Sequence, residues 1–158
     1  GKVAISDVIL KKPARLDPAE YETMKGHTVA GARLFGNMTS EFDEAAREVA
    51  LNHHERWDGA GYPGHVDAET GEALPGHADA GGKPIPKKGD EIPLFGRIVA
   101  IADVYDALSS ARSYKEAWTE ERVMDEIRAQ KGGAFDPEIV DAFFECLPAL
   151  RALAERYR

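Results

Sequence analysis

The predicted fold is decided by one stretch of the sequence, Leu94-Phe95-Gly96-Arg97-Ile98-Val99-Ala100-Ile101-Ala102-Asp103-Val104-Tyr105-Asp106-Ala107-Leu108. Pro93 precedes it and favours a helix start at that point. Between Ile98 and Val104 the stretch is apolar almost all the way round, which is typical of a helix that is buried on every side. The sequence therefore predicts an interior helix.

Helix start and stop signals elsewhere indicate that the remaining elements are helical too. Asp17-Pro18-Ala19-Glu20 combines an N-cap, a proline at the first helical position and a capping-box glutamate, and predicts a helix to about Phe35. The other predicted helices run from Ser40 to His54, from Thr119 to about Lys131, and from Asp136 to a kink or break at Pro148. The predicted fold class is all-α.

One long segment breaks this pattern. Residues 64–91 contain six glycines and three prolines among charged residues, with no sustained apolar period. They predict an irregular loop or a small hairpin inserted into the domain, either a lid over a site or a tolerated surface insertion. His65 and His77 fall in this insertion, and we expect them to be exposed and to bind no ligand.

Length and composition narrow the class of protein. The 158 residues predict one domain over 1–158, and the single Cys146, in an apolar helical context, is expected in the core. A net charge of −8 argues against binding a nucleic-acid polymer but permits a small phosphate ligand held by metal ions and a few cations. No segment predicts membrane insertion or a signal peptide, so we expect a cytoplasmic location.

Four residues have the chemistry of metal ligands. Asp103 lies in an apolar helix and needs a cation or several donors, because burying an unpaired carboxylate costs several kcal/mol. His53 and His54 are adjacent, and neighbouring helical side chains point about 100° apart, so one ion could hold both only if the helix unwinds there, and two ions, one per histidine, is the easier geometry. Together with His27 they form an imidazole and carboxylate set that suits iron, manganese or zinc. The alternatives are a salt bridge for Asp103 and helix-capping roles for the histidines.

Such a set favours hydrolysis of phosphoesters, because bound metal ions activate water and brace the attacking and leaving oxygens. Arg112 and Lys115 follow the apolar helix closely and could grip phosphate, although a surface charge pair is the alternative. Four ligands are few for two ions, so the set is incomplete.

Taken together, the motifs resemble the HD-GYP family, a branch of the HD phosphohydrolase superfamily that hydrolyses cyclic di-GMP. The resemblance extends from the first residue to about position 147. Its motifs are Gly1-Lys2, Met24-Lys25-Gly26-His27, His53-His54-Glu55-Arg56-Trp57-Asp58-Gly59-Ala60-Gly61-Tyr62-Pro63, Ile92-Pro93-Leu94, Arg97 to Leu108, Arg112, Tyr114-Lys115 and Phe135-Asp136-Pro137.

The resemblance implies an HD-domain-like helical bundle and a role for each matching position. It implies that two or three divalent ions, iron or manganese, are bound, and that Lys2 lies beside the activated water and the scissile phosphate. Water would attack the phosphodiester of cyclic di-GMP to give linear pGpG and then GMP. The implied metal ligands are His27, His53, His54 and Asp103, and the implied substrate-binding residues are Gly61, Tyr62, Arg112 and Lys115.

The chain also departs from the family pattern. It begins at Gly1-Lys2, inside the His-Asp-x-Gly-Lys motif, and we expect the histidine and aspartate to precede Gly1 in the full protein. The insertion at 64–91 is longer than the family's usual link, and Ala111 and Ser113 replace its acidic residue and proline. The alternative to an enzyme is a non-catalytic module with an incomplete metal site that responds to cyclic di-GMP or binds a protein partner. An upstream sensory or receiver domain and a homodimer are further expectations.

Overall fold

The computed structural model describes residues 1–37, 40–110 and 117–156. The described residues are helical and contain no β-strand, which confirms the predicted all-α class. Short 3-10 turns lie at Lys2–Ala4 and Gly89–Glu91. The α-helices in chain order are α1 (Asp7–Leu10), α2 (Pro18–Lys25), α3 (His27–Arg33), α4 (Glu41–Asn52), α5 (Leu94–Ser109), α6 (Glu120–Ala129) and α7 (Pro137–Arg156).

The first predicted helix is divided in two at Gly26. Its start is as expected, since Asp17 and Glu20 form a capping box. The N–H of Gly26 donates to the Thr23 carbonyl at 3.1 Å, three residues back, so the turn tightens and α2 ends. His27 therefore begins α3 instead of lying in the middle of one long helix.

Two groups of buried side chains hold the helices together. Helix α4 packs against both α3 and α5, with Ala32, Leu51 and Val66 buried between α3, α4 and the insertion. The larger group joins α5, α6 and α7 and consists of Ala100, Ile101, Val123, Met124, Ile127, Phe135, Val140 and Leu147. Helix α5 thus has neighbours on two sides.

The prediction that α5 is buried all round is wrong. Ile98 is 42% exposed and Ala102 is exposed as well, because the face between the two groups of neighbours is open. This face and α7 line a groove of about 710 Å³, in which Cys146 is exposed and not in the core. Helix α7 continues through Pro148 as a single helix and is not broken there.

The insertion forms two tight loops joined by backbone hydrogen bonds. Isolated antiparallel bridges pair Val66 with Ala73 and Ala78 with Pro84. The rings of His65 and His77 stack with centroids 4.1 Å apart, and both residues are half-buried, so the expectation that they are simply exposed is wrong. None of the helices in the described ranges is long and apolar enough to cross a membrane.

Candidate metal centre

Three imidazoles converge where α3 begins and α4 ends. His27, His53 and His54, which we call the histidine triad, each offer a ring nitrogen, and these nitrogens all lie within 4.8 Å of one another. Helix α4 ends at Asn52, with His53 as its C-cap, so His54 leaves the helical path. The two adjacent imidazoles can therefore face one point, because the helix ends there, which is the condition for one ion to bind both.

Backbone carbonyls fix the orientation of two of these rings. The Nδ1 atom of His27 lies 2.7 Å from the Met24 carbonyl oxygen, and Nδ1 of His53 lies 2.9 Å from that of Val49. A carbonyl only accepts, so each Nδ1 carries the proton and each Nε2 presents a lone pair. Metal-binding histidines are commonly oriented by such a bond through their other nitrogen.

The two lone pairs face each other, and this arrangement calls for a positively charged ion between them. Nε2 of His27 and Nε2 of His53 are 3.3 Å apart, and neither has a hydrogen to donate to the other. A cation between them removes the repulsion, and it can be a proton or a metal ion. Burial lowers the pKa of His27, and burial together with the charges of the neighbouring residues lowers the pKa of His54 to about 3. Protonation is thereby disfavoured, and the neutral imidazoles suit a divalent metal.

Lys2 lies close to the triad because its neighbour is packed tightly against α3. A Cβ atom added to Gly1 would lie 1.9 Å from the His27 carbonyl oxygen, so only glycine allows this approach. The positive charge of Lys2 contributes to the lowered pKa of both His27 and His54. The structure thus brings Lys2 into electrostatic range of the triad.

Asp103, on α5, lines the same cavity as His53 and His54. Its carboxylate is not part of the group of atoms that lie within 4.8 Å of one another. Its charge is one reason why the pKa of Tyr62 is raised, after burial and the effect of Tyr21. The predicted ligand is therefore beside the centre, and its role as a ligand stays a prediction.

The turn after the triad is built by close backbone contacts. A Cβ atom on Gly61 would lie 2.3 Å from the Arg56 nitrogen, so a glycine is required there. The N–H of Tyr62 donates to the His54 carbonyl at 3.1 Å, and the Tyr62 ring stacks on the His54 ring with centroids 4.8 Å apart. Both predicted substrate residues of this turn consequently line the cavity beside the triad.

Glu55 is the residue of this site that the sequence analysis missed. It is 3% exposed, and its carboxylate accepts from the N–H of Gly64 at 2.5 Å and of Lys87 at 3.2 Å. These donors lie near the two ends of the insertion, so Glu55 holds the two ends together. Burial raises the pKa of Glu55, and the Lys87 charge opposes that shift. The signal in the sequence that could have identified Glu55 is its position, as a charged residue between two histidines and a glycine-rich turn.

Arg112 and Lys115, the predicted phosphate-binding pair, lie outside the described residues.

The sequence of this chain matches a known protein family. The model of the HD domain family matches residues 1–108. The chain belongs to the HD domain family. The resemblance to its HD-GYP branch is confirmed by the relatives, which carry the names of cyclic dinucleotide phosphodiesterases.

Several relatives of this HD domain are similar over nearly its whole length. It is 41% identical to 3'3'-cGAMP-specific phosphodiesterase 2 of Vibrio cholerae over 92% of the chain and 24% of that protein. It is 44% identical to the cyclic di-GMP phosphodiesterase response regulator RpfG of Xanthomonas campestris, over 90% of the chain and 32% of that protein. The chain thus spans about a quarter to a third of these curated relatives.

A solved structure shares the fold. The crystal structure of a cyclic GMP-AMP-specific phosphodiesterase of V. cholerae, V-cGAP3, superposes with a TM-score of 0.53 at 21% identity. The match covers 97% of this chain and 34% of that one. At this identity the likeness supports the helical architecture alone.

Proposed function

We propose that this HD domain hydrolyses a cyclic dinucleotide, with cyclic di-GMP as the substrate, in a reaction that depends on divalent metal. The observation that carries the proposal is the pair of Nε2 atoms, on His27 and His53, that face each other at 3.3 Å and need a cation. Iron or manganese fits this nitrogen-rich set better than magnesium or calcium does. The names of the relatives supply the substrate class.

The metal ions would be held by His27, His53 and His54, with Asp103 completing the set from α5. Bound divalent ions supply Lewis-acid activation of water and of the phosphoryl group. The carbonyl contacts of His27 and His53 hold the rings ready, so little reorientation is needed when the ions bind. Lys2 adds a positive charge at the edge of the triad, where it favours an anionic phosphodiester.

The remaining site residues position the nucleotide. The close packing at Gly61 brings the backbone of the turn beside the triad, and Tyr62 closes that side of the cavity. Arg112 and Lys115 are the proposed phosphate contacts. Water attack on the phosphodiester of cyclic di-GMP opens the ring to linear pGpG, and a second hydrolysis gives GMP.

The test is turnover by purified protein, expressed with any residues that its gene encodes before Gly1 and loaded with iron(II) or manganese(II) without oxygen. Cyclic di-GMP and 3'3'-cGAMP are supplied separately, and products are resolved by anion-exchange chromatography. We expect pGpG from cyclic di-GMP, and loss of turnover in His54→Ala. His77→Ala is the matched control, because His77 lies in the insertion and not in the triad.

The two substrates distinguish the outcomes. Turnover of 3'3'-cGAMP alone would replace cyclic di-GMP as the substrate and keep the reaction. Metal-loaded protein that binds cyclic di-GMP in calorimetry without turning it over would contradict the enzyme and support a non-catalytic, cyclic di-GMP-responsive module.

A further inference from the structure

Tyr21 is an exposed aromatic residue at the rim of the metal cavity. It lies on α2 and lines the cavity together with His54 and Tyr62, while 48% of its surface remains exposed. The Asp17–Glu20 capping box fixes the first turn of α2, and the N–H of Tyr21 donates to the Asp17 carbonyl at 2.9 Å. The backbone that carries the ring is therefore held in place.

The two tyrosines form a corner and not a stack. Their ring centroids are 6.2 Å apart and the ring planes meet at 80°. The ammonium group of Lys25 lies 5.6 Å from the Tyr21 centroid and 5.8 Å from the Tyr62 centroid, so one cation contacts both rings. A salt bridge of 2.7 Å to Glu22 holds Lys25 there.

Of the two rings, that of Tyr21 has more room for a planar ligand group, because it is more exposed and no ring stacks on it among the described residues. One face of Tyr62 is covered by the stacked His54 ring, whereas the Lys25 ammonium lies near both tyrosines and does not distinguish them. Burial of Tyr62, the main cause of its raised pKa, agrees with this enclosure. Tyr21 has no stacked ring against it among the described residues, so its exposed surface is available.

The size of the cavity indicates where such a group would come from. The cavity encloses about 310 Å³, near the lower end of the roughly 300–1,000 Å³ that ligand sites span. A ligand made of two nucleotides extends beyond such a space. With its phosphodiester at the triad, one of its bases lies at the rim, where Tyr21 is.

We propose that Tyr21 is a substrate-binding residue that stacks on a purine base of the cyclic dinucleotide. This assignment rests on the proposed function. Stacking on an aromatic ring tolerates any base, because every base has a π-face. Tyr21 accordingly strengthens binding of cyclic di-GMP and 3'3'-cGAMP alike and does not select between them.

The experiment compares kcat and KM of Tyr21→Ala, Tyr21→Phe and Tyr21→Trp with both cyclic dinucleotides. Tyr21→Ala is expected to raise KM roughly 10-fold for both substrates, with a much smaller change in kcat, because loss of one stacked base weakens binding by about that factor or more. The phenylalanine and tryptophan variants restore KM. Tyr21→Trp also gains fluorescence that cyclic di-GMP quenches beyond the quenching seen in wild-type protein.

A matched control is Phe42→Ala, which removes an aromatic side chain that is 88% exposed on α4 and does not line the cavity. It should leave kcat and KM at wild-type values. Metal content and the far-ultraviolet circular dichroism of each variant report whether the centre and the fold are intact.

The failures are distinguishable. If wild-type protein turns over cyclic dinucleotides and Tyr21→Ala keeps the wild-type KM, the stacking assignment is overturned and the proposed function stands. A KM increase for one of the two substrates only would also overturn it, because that pattern means base-edge recognition. If metal-loaded wild-type protein neither binds nor hydrolyses either dinucleotide, the proposed function fails and this assignment fails with it.

Discussion

Each ring of the histidine triad is prepared for a metal by a different local constraint. His27 donates to the Met24 carbonyl at the end of α2, His53 donates to the Val49 carbonyl of α4, and His54 is stacked on Tyr62 beyond the end of α4. Burial keeps the pKa of His27 and of His54 low, so at neutral pH these rings are in the form that binds metal. The folded structure around the triad therefore sets the orientation of the rings and the protonation state of His27 and His54.

Replacing a triad histidine should remove metal and spare the fold. We expect His53→Ala and His54→Ala each to lower metal affinity by more than about 10-fold, since even a lost supporting contact has an effect of that size. The helical circular dichroism should remain, because both residues follow the last helical residue of α4. Metal content after dialysis is the measurement, with His77→Ala as the histidine control. Full stoichiometry in both variants would refute the ligand assignment.

Gly61 has no space for a side chain. In Gly61→Ala the new Cβ would meet the backbone of Glu55 and Arg56 at 2.3–2.6 Å, so the turn must shift. A shift of about 1 Å in positioning residues can lower a rate roughly 100-fold, and we expect kcat/KM to fall by that order. Gly81→Ala in the insertion is the control, because its nearest contact is 3.3 Å. Equal activity of the two variants would contradict the role of the close packing.

At the scale of elements, the sequence predicted what local signals encode and missed what distant contacts decide. The capping box at Asp17 and the helix start at Ser40 were visible in the sequence, and both are present. The open face of α5 was not, because apolar composition cannot say how many neighbours a helix has. Closure of the insertion by Glu55 was not visible either, since its partner Lys87 lies 32 residues away.

One buried ion pair links α5 to the start of α7, beside the apolar side chains that these helices share. Arg97 of α5 donates to Asp136, just before α7, at 2.7 Å, and the Asp136 side chain is 3% exposed. Asp136 also accepts from the Glu138 N–H at 2.8 Å, so it orients the first turn of α7. Removing the arginine would leave a buried carboxylate without its cation.

Arg97→Met should therefore lower the free energy of unfolding by about 3 kcal/mol, the usual scale for breaking a buried pair. The control is Arg47→Met, which breaks the exposed pair with Glu69 and should cost less than about 1 kcal/mol. Urea denaturation followed by circular dichroism gives both values. Similar losses in the two variants would show that burial of Asp136 does not set the strength of the pair.

At the scale of the whole molecule, the metal centre joins parts of the chain that are far apart in sequence. His27 and His53 are 26 positions apart, and Lys2 approaches from the N-terminal turn. The described residues contain no other group of three or more histidine, cysteine or acidic side chains with donor atoms this close together. An unfolded chain does not hold these nitrogens together, so metal should bind the folded state alone and stabilise it by mass action.

Manganese(II) at about 100 times its dissociation constant should stabilise the folded protein by about 2.7 kcal/mol. For a chain of this size that corresponds to a rise in Tm of roughly 5–10 °C, measured by calorimetry with and without metal. Magnesium should give a smaller rise, because it prefers oxygen ligands and the triad offers nitrogen. His77→Ala should keep the manganese shift and His54→Ala should lose it. A shift that persists in His54→Ala would mean that the stabilising ion binds elsewhere, among the surface carboxylates of this acidic chain.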